Sequence, residues 1–596
     1  MKFGKSLYII LASVKVLLIN ADKVSFKVLA INGTPFVTVN GQQYEMTLEE
    51  YPLYKAKVEV DKFPVEYNYN IVYADGSSEQ ESFSRKREKE EKSLNEFFNR
   101  SQTVIEHPQV PKAYQPFEFY EPSKLYDDTH VSTIIINVDN QLLQQMYQNP
   151  TDQELKANAV VVYASPYSVK TFNNAILSIS GQSTRGVPKL SYKLKNLKSD
   201  DNKELFNRSS IKLRAEHMDP SFLRDKIYGD ILNSLGVPAA QNKFARVFIN
   251  GQPVGLFDLS DDITSGRYLR ETFNKGEKYT QENPIFKADY CPSCGIGAVY
   301  SDLGYYGEDI NEPMYAVYSY KGDDNTTPSM THVANEIIPL VREINAYANY
   351  QTETMSFDID TFLKYMAVEF LAGAIDNYWN KPGNYFLYKD VAKGKWYFHD
   401  ADFHFSFGVG GEPDLMINTP LSDYPPIHDP KVDKARPPLD AILSRPENKA
   451  RFTQIFDRLL KTSFHTGSLY SRIDSFVELI YEDAQWDYSI PRVSQLVGQH
   501  DTELNYNFDD FLTHVTSTQE VSRFETVPLK YFIRNKIALV SQELGIQVPE
   551  QYETDLGMVE NPSQKASVSS FSGTSRSLSM VVFSSFMAMF ISYILF

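Results

Sequence analysis

The chain has 596 residues, a formal net charge of −17 and a hydrophobic fraction of 42%. That length exceeds what one small core organises and points to two or three domains. The acidic balance excludes a general nucleic-acid binder, which needs a basic face for phosphates, so no nucleic-acid partner is expected.

Both ends read as addresses. Residues 1–21 carry Lys2 and Lys5, an apolar run to Ile19 broken by Lys15, and a small Ala21. This is the pattern of a secretory signal peptide. Residues 549–573 form a Ser-rich stalk whose small residues Ser570, Ser572 and Gly573 are candidate points of GPI attachment. Residues 574–596 hold Arg576 in a polar spacer and then an apolar stretch from Met580, the form of a GPI propeptide that is removed. A tail-anchored helix is the competing reading. The sequons at Asn32, Asn99, Asn207 and Asn325 are glycan acceptors on a secreted chain. Together these features predict passage through the secretory pathway to the outer cell surface, with a GPI anchor in plasma membrane or cell wall.

In chain order, residues 22–82 alternate apolar and polar positions between NGT, NGQ and ADGS turn signals and predict a small β-sandwich. The charge run SRKREKEEK opens a linker over 83–129, expected to be solvated, with Arg85, Lys86 and Arg87 open to a processing protease. Residues 130–548 are mixed helix and strand. Strands are expected at VSTIIINVD, NAVVVYASP, NNAILSISGQS and LSYKLKNLK, the last with its lysines on one face. FLRDKIYGDILNSLG predicts an amphipathic helix closed by Gly236, and KFARVFINGQPVGLFDL a hairpin. A long variable insertion at about 265–330 is expected to be exposed and to carry partner contact. Within it lie the two cysteines, Cys291 and Cys294, in DYCPSCGIG. A redox motif lacks its βαβ setting and a zinc site lacks a second pair, so a local disulfide is the preferred reading.

The stretch DNYWNKPGNYFLYKDVAKGKWYFHDADFHFSFG, 376–408, concentrates acids beside apolar strands. Such acids are costly unless paired, solvated or bound to a cation. A helix with Phe362, Leu363, Met366, Phe370 and Leu371 at helical spacing leads to Asp376, then a polar turn, a hairpin, Asp400 and Asp402. Helix, acidic loop with Asn, hairpin and strand-end Asp is the order of a protein-kinase catalytic segment. There an Asp orients the attacking hydroxyl, and an Asn and a second Asp hold Mg²⁺ over the ATP phosphates. Asp400 and Asp402 are expected on one face of an extended segment, roughly 7 Å apart. The cation on the nucleotide is sought among Lys189, Lys193 and Lys195. Two other readings stand beside this one. In the first, Asp376 and Asp402 cap a helix and a turn while Asp400 pairs with a lysine. In the second, His399 and His404 join the acids in a metal site for phosphoester hydrolysis.

The fold class expected is α+β, a kinase-like domain behind a small β-sandwich. Several blocks resemble the CotH family of atypical kinases: GQSTRGVPKLSYKLK (181–195), IKLRAEHMDPSFLRDKIYGDILNSLGVPA (211–239), VGLFDLSDDI (254–263), DNYWNKPGNYFLY and FHDADFHFSFG. In the third block Phe257 and Asp261 stand where the family has Tyr and Glu. The resemblance implies Asp376 as catalytic acid/base and Asp400 and Asp402 as Mg²⁺ ligands. Asn384 is the implied further ligand, with Asn377 and Asn380 as alternates. Lys189, Lys193 and Asp261 are the implied ATP contacts. Asn384 lies further from Asp376 than in a kinase catalytic loop. The signal peptide, β-rich front and lipid tail resemble surface members in mucoralean fungi, some of which are adhesins or invasins. Two functions follow: a surface protein contacting a host receptor, or a kinase using Mg-ATP on secreted or surface proteins.

Overall fold

The structure, a computed structural model, describes residues 22–89, 92–117, 123–294, 297–424, 435–493 and 505–554. The segments read as a signal peptide and a GPI propeptide, together with Ser570, Ser572 and Gly573, lie outside the described residues. The chain divides into two units, Met1–Thr103 with Ala164–Val169, and Val104–Tyr163 with Lys170–Phe596.

In the first unit, alternation in strands such as Thr34–Val39 buries every second side chain. Two sheets result. One has the strands Thr47–Glu50, Leu53–Val60, Asp22–Leu29 and Glu96–Phe97 in that order; the other is built around Thr34–Val39 and Val65–Val72. They enclose one core with Val24, Phe26, Val28, Val37, Val58 and Tyr69, as a sandwich does. The charge run departs from expectation. Arg85–Arg87 is a strand paired antiparallel with Val65–Val72. Arg85 is buried against Glu81 (2.6 Å) and Glu96 (3.4 Å), and its guanidinium lies over the Tyr69 and Phe83 rings. The expected linker therefore does not exist as such. Its first part completes the sandwich, and further on Ala113, Tyr114, Leu125 and Tyr126 are buried in cores of the second unit. Of the basic run only Arg85 is buried, while Lys86 is exposed and Arg87 half-buried on a paired strand.

The second unit begins with a closed barrel. Its strands run in the order Ser132–Val138, Lys156–Ala164, Val169–Ser180, Ser191–Lys195, Ser210–Arg214, Gln252–Asp261 and Asn242–Ile249. Parallel pairing of Ser132–Val138 with Asn242–Ile249 closes it. Ile134, Leu177, Tyr192, Leu194, Ile211, Leu213, Phe257 and Leu259 fill it. The strand period of two then puts Lys193, Lys212, Arg214, Asp258 and Ser260 on the outer face. Cross-strand pairing sets Lys193 against Lys212, Lys212 against Ser260 and Arg214 against Asp258. The helix Arg224–Ser234 follows Arg214 and is buried on all sides rather than amphipathic. Its polar residues are paired instead, as with Lys226 and Asp230 at 2.7 Å. Gly236, at φ +63°, ends the turn behind it.

A helical lobe carries the rest. Its sheet has the order Tyr318–Tyr320, Ile285–Ala288, Tyr385–Asp390, Lys395–Asp400. The expected insertion at 265–330 thus supplies two strands of that sheet. Ile285, Phe286, Ala288, Leu303, Tyr315 and Tyr318 are buried, so this segment is lobe rather than exposed loop. Cys291 and Cys294 are joined by a disulfide within it. The chain stays packed beyond the expected start of the stalk, since Glu553 N–H donates to the Lys461 carbonyl at 2.7 Å.

Replacing Arg85 by Met would leave the Glu81 carboxylate buried without its partner. We expect a loss of about 3–5 kcal/mol in urea unfolding of the sandwich, together with new tryptic cleavage at Lys86 and Arg87. An unchanged midpoint would contradict this burial.

Candidate active site

The helix Ile359–Ala372 is capped by the Asp358 side chain on Thr361 N–H (3.0 Å) and closed by Gly373 at φ +58°. Phe362, Leu363, Met366 and Phe370 anchor it in the core. The loop behind it is pinned by Ile375 N–H donating to the Phe405 carbonyl at 3.1 Å, and it presents Asp376. Lys381 Nζ donates to Asp376 Oδ1 at 2.8 Å and stands 3.7 Å from the Tyr290 ring centroid. Asn384 Nδ2 donates to the Asp376 carbonyl and to Oδ2, both at 2.9 Å. Asn384 has φ +55°, a left-handed turn that Asn tolerates. Burial raises the Asp376 carboxyl above the ordinary range against the opposing pull of Lys381.

The register of the hairpin sets Tyr385 opposite Asp400, so Asn384 and Asp400 share one end of the sheet. Asp400 is fully enclosed. Asn377 Nδ2 donates to Oδ1 at 2.8 Å, Ala401 N–H to Oδ1 at 3.0 Å and Tyr228 OH to Oδ2 at 2.9 Å. Burial outweighs these donors and pushes its carboxyl up to about 7. Asp402 does not share a strand face with it. The strand ends at Asp400, and Asp402 sits at φ +69°. That turn aims Asp402 at Arg214 Nη2 (2.6 Å) and His404 Nδ1 (2.6 Å). Burial acts upward on this carboxyl too, yet Arg214 and His404 hold it well below the ordinary range.

The residues expected on ATP separate. Lys189 is buried and paired with Asp487 at 2.7 Å, with Nζ also donating to the Leu256 carbonyl at 2.5 Å. Asp261 is buried as acceptor for Arg208, Tyr126 OH (2.8 Å) and Gln241 N–H (3.1 Å). Lys193 lies on the outer barrel face, paired with Asp262 at 2.6 Å. His399 is buried, its Nε2 shared with Tyr268 OH at 2.5 Å and its Nδ1 with the Asp400 carbonyl at 2.9 Å.

The sequence reading missed Arg214, Asp225 and Tyr228. Arg214 Nε meets Asp225 Oδ2 at 2.8 Å, while Asp225 Oδ1 accepts from Phe403 N–H at 2.8 Å. The Tyr228 ring stacks on Phe403 with centroids 4.0 Å apart. The signal available was the Arg-then-Asp pair flanking the DPS turn, set at a strand end and a helix start.

Mg²⁺ takes hard oxygen ligands, which Asp376, Asp402 and Asn377 offer here, with the His404 imidazole beside Asp402. Asp402 and Asp376 are partly exposed, with 36% and 23% of their side chains accessible. Asn377 Oδ1 is buried without a hydrogen-bond partner among the described residues. No three His, Cys, Asp or Glu side chains among the described residues are gathered to hold a metal by themselves. A cation here would complete its shell with phosphate oxygens and water.

A strand lobe and a helical lobe that meet at acids on a catalytic-type loop and a strand end define a protein-kinase-like domain. The family model described as CotH kinase protein matches residues 177–508, and the chain belongs to that family. Among relatives, Invasin CotH3 of Rhizopus delemar is 26% identical over 91% of this chain and 88% of its own length. Invasin CotH2 of the same fungus is 27% identical over 82% of this chain and 78% of its own. Spore coat protein homolog 1 of that fungus is 26% identical over 80% of this chain and 74% of its own.

The Asp400 shift carries a sign. A carboxyl held near 7 in the fold, against an ordinary value of 3.8, favours the protonated folded state. Its contribution is greatest below the ordinary value and is lost as pH rises through about 7. In EDTA, unfolding free energy should fall between pH 4 and pH 7 by on the order of a few kcal/mol more in wild type than in Asp400→Asn. Equal slopes would contradict the assignment.

Proposed function

We propose that this chain is a surface-displayed, invasin-type CotH protein that contacts a host cell-surface protein. The observation that supports this most is the extent of the similarity. It covers 91% of the chain, so what is shared with the invasin CotH3 reaches beyond the kinase-like domain into the sandwich. All four sequon asparagines, Asn32, Asn99, Asn207 and Asn325, lie exposed, as glycan acceptors must. No helix among the described residues is long and apolar enough to cross a membrane, and the tail read as a GPI signal lies outside them.

A second reading is phosphotransfer from Mg-ATP to Ser or Thr of secreted proteins. The contact of Asp376 with both Lys381 and Asn384, beside Asp402 on Arg214, favours it. In this reading Asp376 would orient the acceptor hydroxyl and Asp402 and Asn377 would hold Mg²⁺, which when bound supplies charge neutralisation for the phosphates. The two readings are compatible, because a binding surface and a phosphotransfer site can occupy one fold.

The full chain expressed in a yeast host should be released from the surface by phosphatidylinositol-specific phospholipase C. The released protein should bind cultured host cells, and trypsin treatment of those cells should abolish binding. Retention inside the yeast, or binding no greater than that of an unrelated glycoprotein, would overturn the invasin reading.

A further inference from the structure

The chain has two cysteines, Cys291 and Cys294, and the structure joins them. A bridge that closes so short a loop removes little entropy from the unfolded chain, so it is a weak staple for the fold as a whole. What it fixes is local. Cys291 ends the strand Tyr290–Cys291, which pairs antiparallel with Val299–Tyr300. Cys294 N–H donates to the Gly297 carbonyl at 3.0 Å. The Tyr290 and Tyr300 rings stack across the pair with centroids 5.9 Å apart. A two-stranded ribbon is marginal on its own, so this one depends on its bridge for order.

The ribbon lies against the loop that presents Asp376. Ser301 N–H donates to the Pro382 carbonyl at 3.1 Å, and Ser301 Oγ donates to the same oxygen at 3.2 Å. Tyr385 OH donates to the Ser301 carbonyl at 2.5 Å. A methyl group on Gly383 would stand 3.4 Å from Tyr290 N and 3.5 Å from the Asp289 carbonyl carbon, so the two backbones run in contact. The Tyr290 ring stands under Lys381 Nζ, which donates to Asp376. Just before the ribbon, Asp289 Oδ2 accepts from Gln182 Nε2 at 2.8 Å. Gln182 belongs to the connection between the barrel strands Val169–Ser180 and Ser191–Lys195. The ribbon and the residue before it therefore touch a barrel loop and the 376–384 loop. On one side both cysteines pack on the core of the helical lobe, and on the other Pro292 and Ser293 are exposed, which leaves the bridge at the surface.

We propose that Cys291–Cys294 is an exchangeable brace on the 376–384 loop, opened by external thiols of the glutathione type. A thiolate attacks one bridge sulfur. The S–S bond breaks as a mixed disulfide forms, and the other cysteine leaves as a thiolate and takes a proton. A second thiol displaces the first, so that two protein thiols and one oxidised thiol dimer result and the external thiols supply both electrons. The bridge is here a substrate for thiols and not a redox catalyst. Once it opens, the 376–384 loop loses the ring under Lys381 and the backing of Pro382 and Gly383. The inference needs no particular chemistry at Asp376, since the loop loosens whether or not phosphate is transferred.

The test incubates the folded full-length chain with reduced glutathione and then alkylates it with iodoacetamide. Mass spectrometry reads labelling of Cys291 and Cys294, and hydrogen–deuterium exchange reads the 376–384 amides. Both cysteines should be labelled without denaturant. Exchange in 376–384 should rise at least about tenfold while the urea midpoint of the chain stays unchanged, the mark of a local opening. The double variant Cys291→Ser, Cys294→Ser should show the same rise without thiol and no further response to it. Tyr290→Leu, with the bridge intact, should give part of the rise. Native protein that takes no label would overturn the exchange. Full labelling with 376–384 exchange within twofold of the oxidised chain would overturn the brace. Either result would leave the invasin and phosphotransfer readings standing.

Discussion

The half-buried charge of Arg214 is the constraint from which the site follows. A guanidinium taken out of water is tolerated only with carboxylates around it, and those carboxylates are tolerated only with the guanidinium. This mutual requirement draws together the strand Ser210–Arg214, the helix Arg224–Ser234 and the segment after Asp400. Asp225 divides its oxygens between Arg214 and Phe403 N–H, and one turn later Tyr228 donates to Asp400 and stacks on Phe403. A single helix face, set by the i, i+3 spacing of Asp225 and Tyr228, therefore positions both Asp400 and Asp402. Asp400 becomes an enclosed anchor, and Asp402 becomes the acid that faces the cleft.

Much of this was legible in the sequence, and the parts that were not share a cause. The stretch 376–408 announced its helix, turn and hairpin because each depends on neighbours in the chain: apolar spacing before Ala372, Gly383 in the turn and alternation up to Asp400. The Cys291–Cys294 pairing was legible for the same reason. Arg85 was misread as solvated because its partners, Glu96 and the Tyr69 ring, come from other strands. Barrel closure was invisible because it joins Ser132–Val138 to Asn242–Ile249 across more than a hundred residues. Lys189 looked like a nucleotide ligand by its motif, yet Asp487, far along the chain, claims it. Asp402 was placed by strand geometry that ends two residues too early, since a positive φ turns it away. In each case local pattern gave the element and a distant charge decided what the side chain does.

The family relationship and the geometry speak to different levels. Similarity over most of the chain to proteins named invasins bears on where such a protein works and what it meets. The arrangement of Asp376, Asn384 and Asp402 bears on the phosphotransfer reading. A kinase-like cleft can persist in a binding protein because its ion pairs also hold the lobes together, as Arg214 does here.

In the phosphotransfer reading, the outer face of the barrel and the segment after Asp400 would form one nucleotide site. Hydrogen–deuterium exchange of the full chain, with and without Mg-ADP, addresses it most directly. Added protection is expected in peptides covering 191–195, 210–216 and 400–404. Unchanged exchange in all three, or protection only in peptides around Lys189 and Asp487, would contradict it.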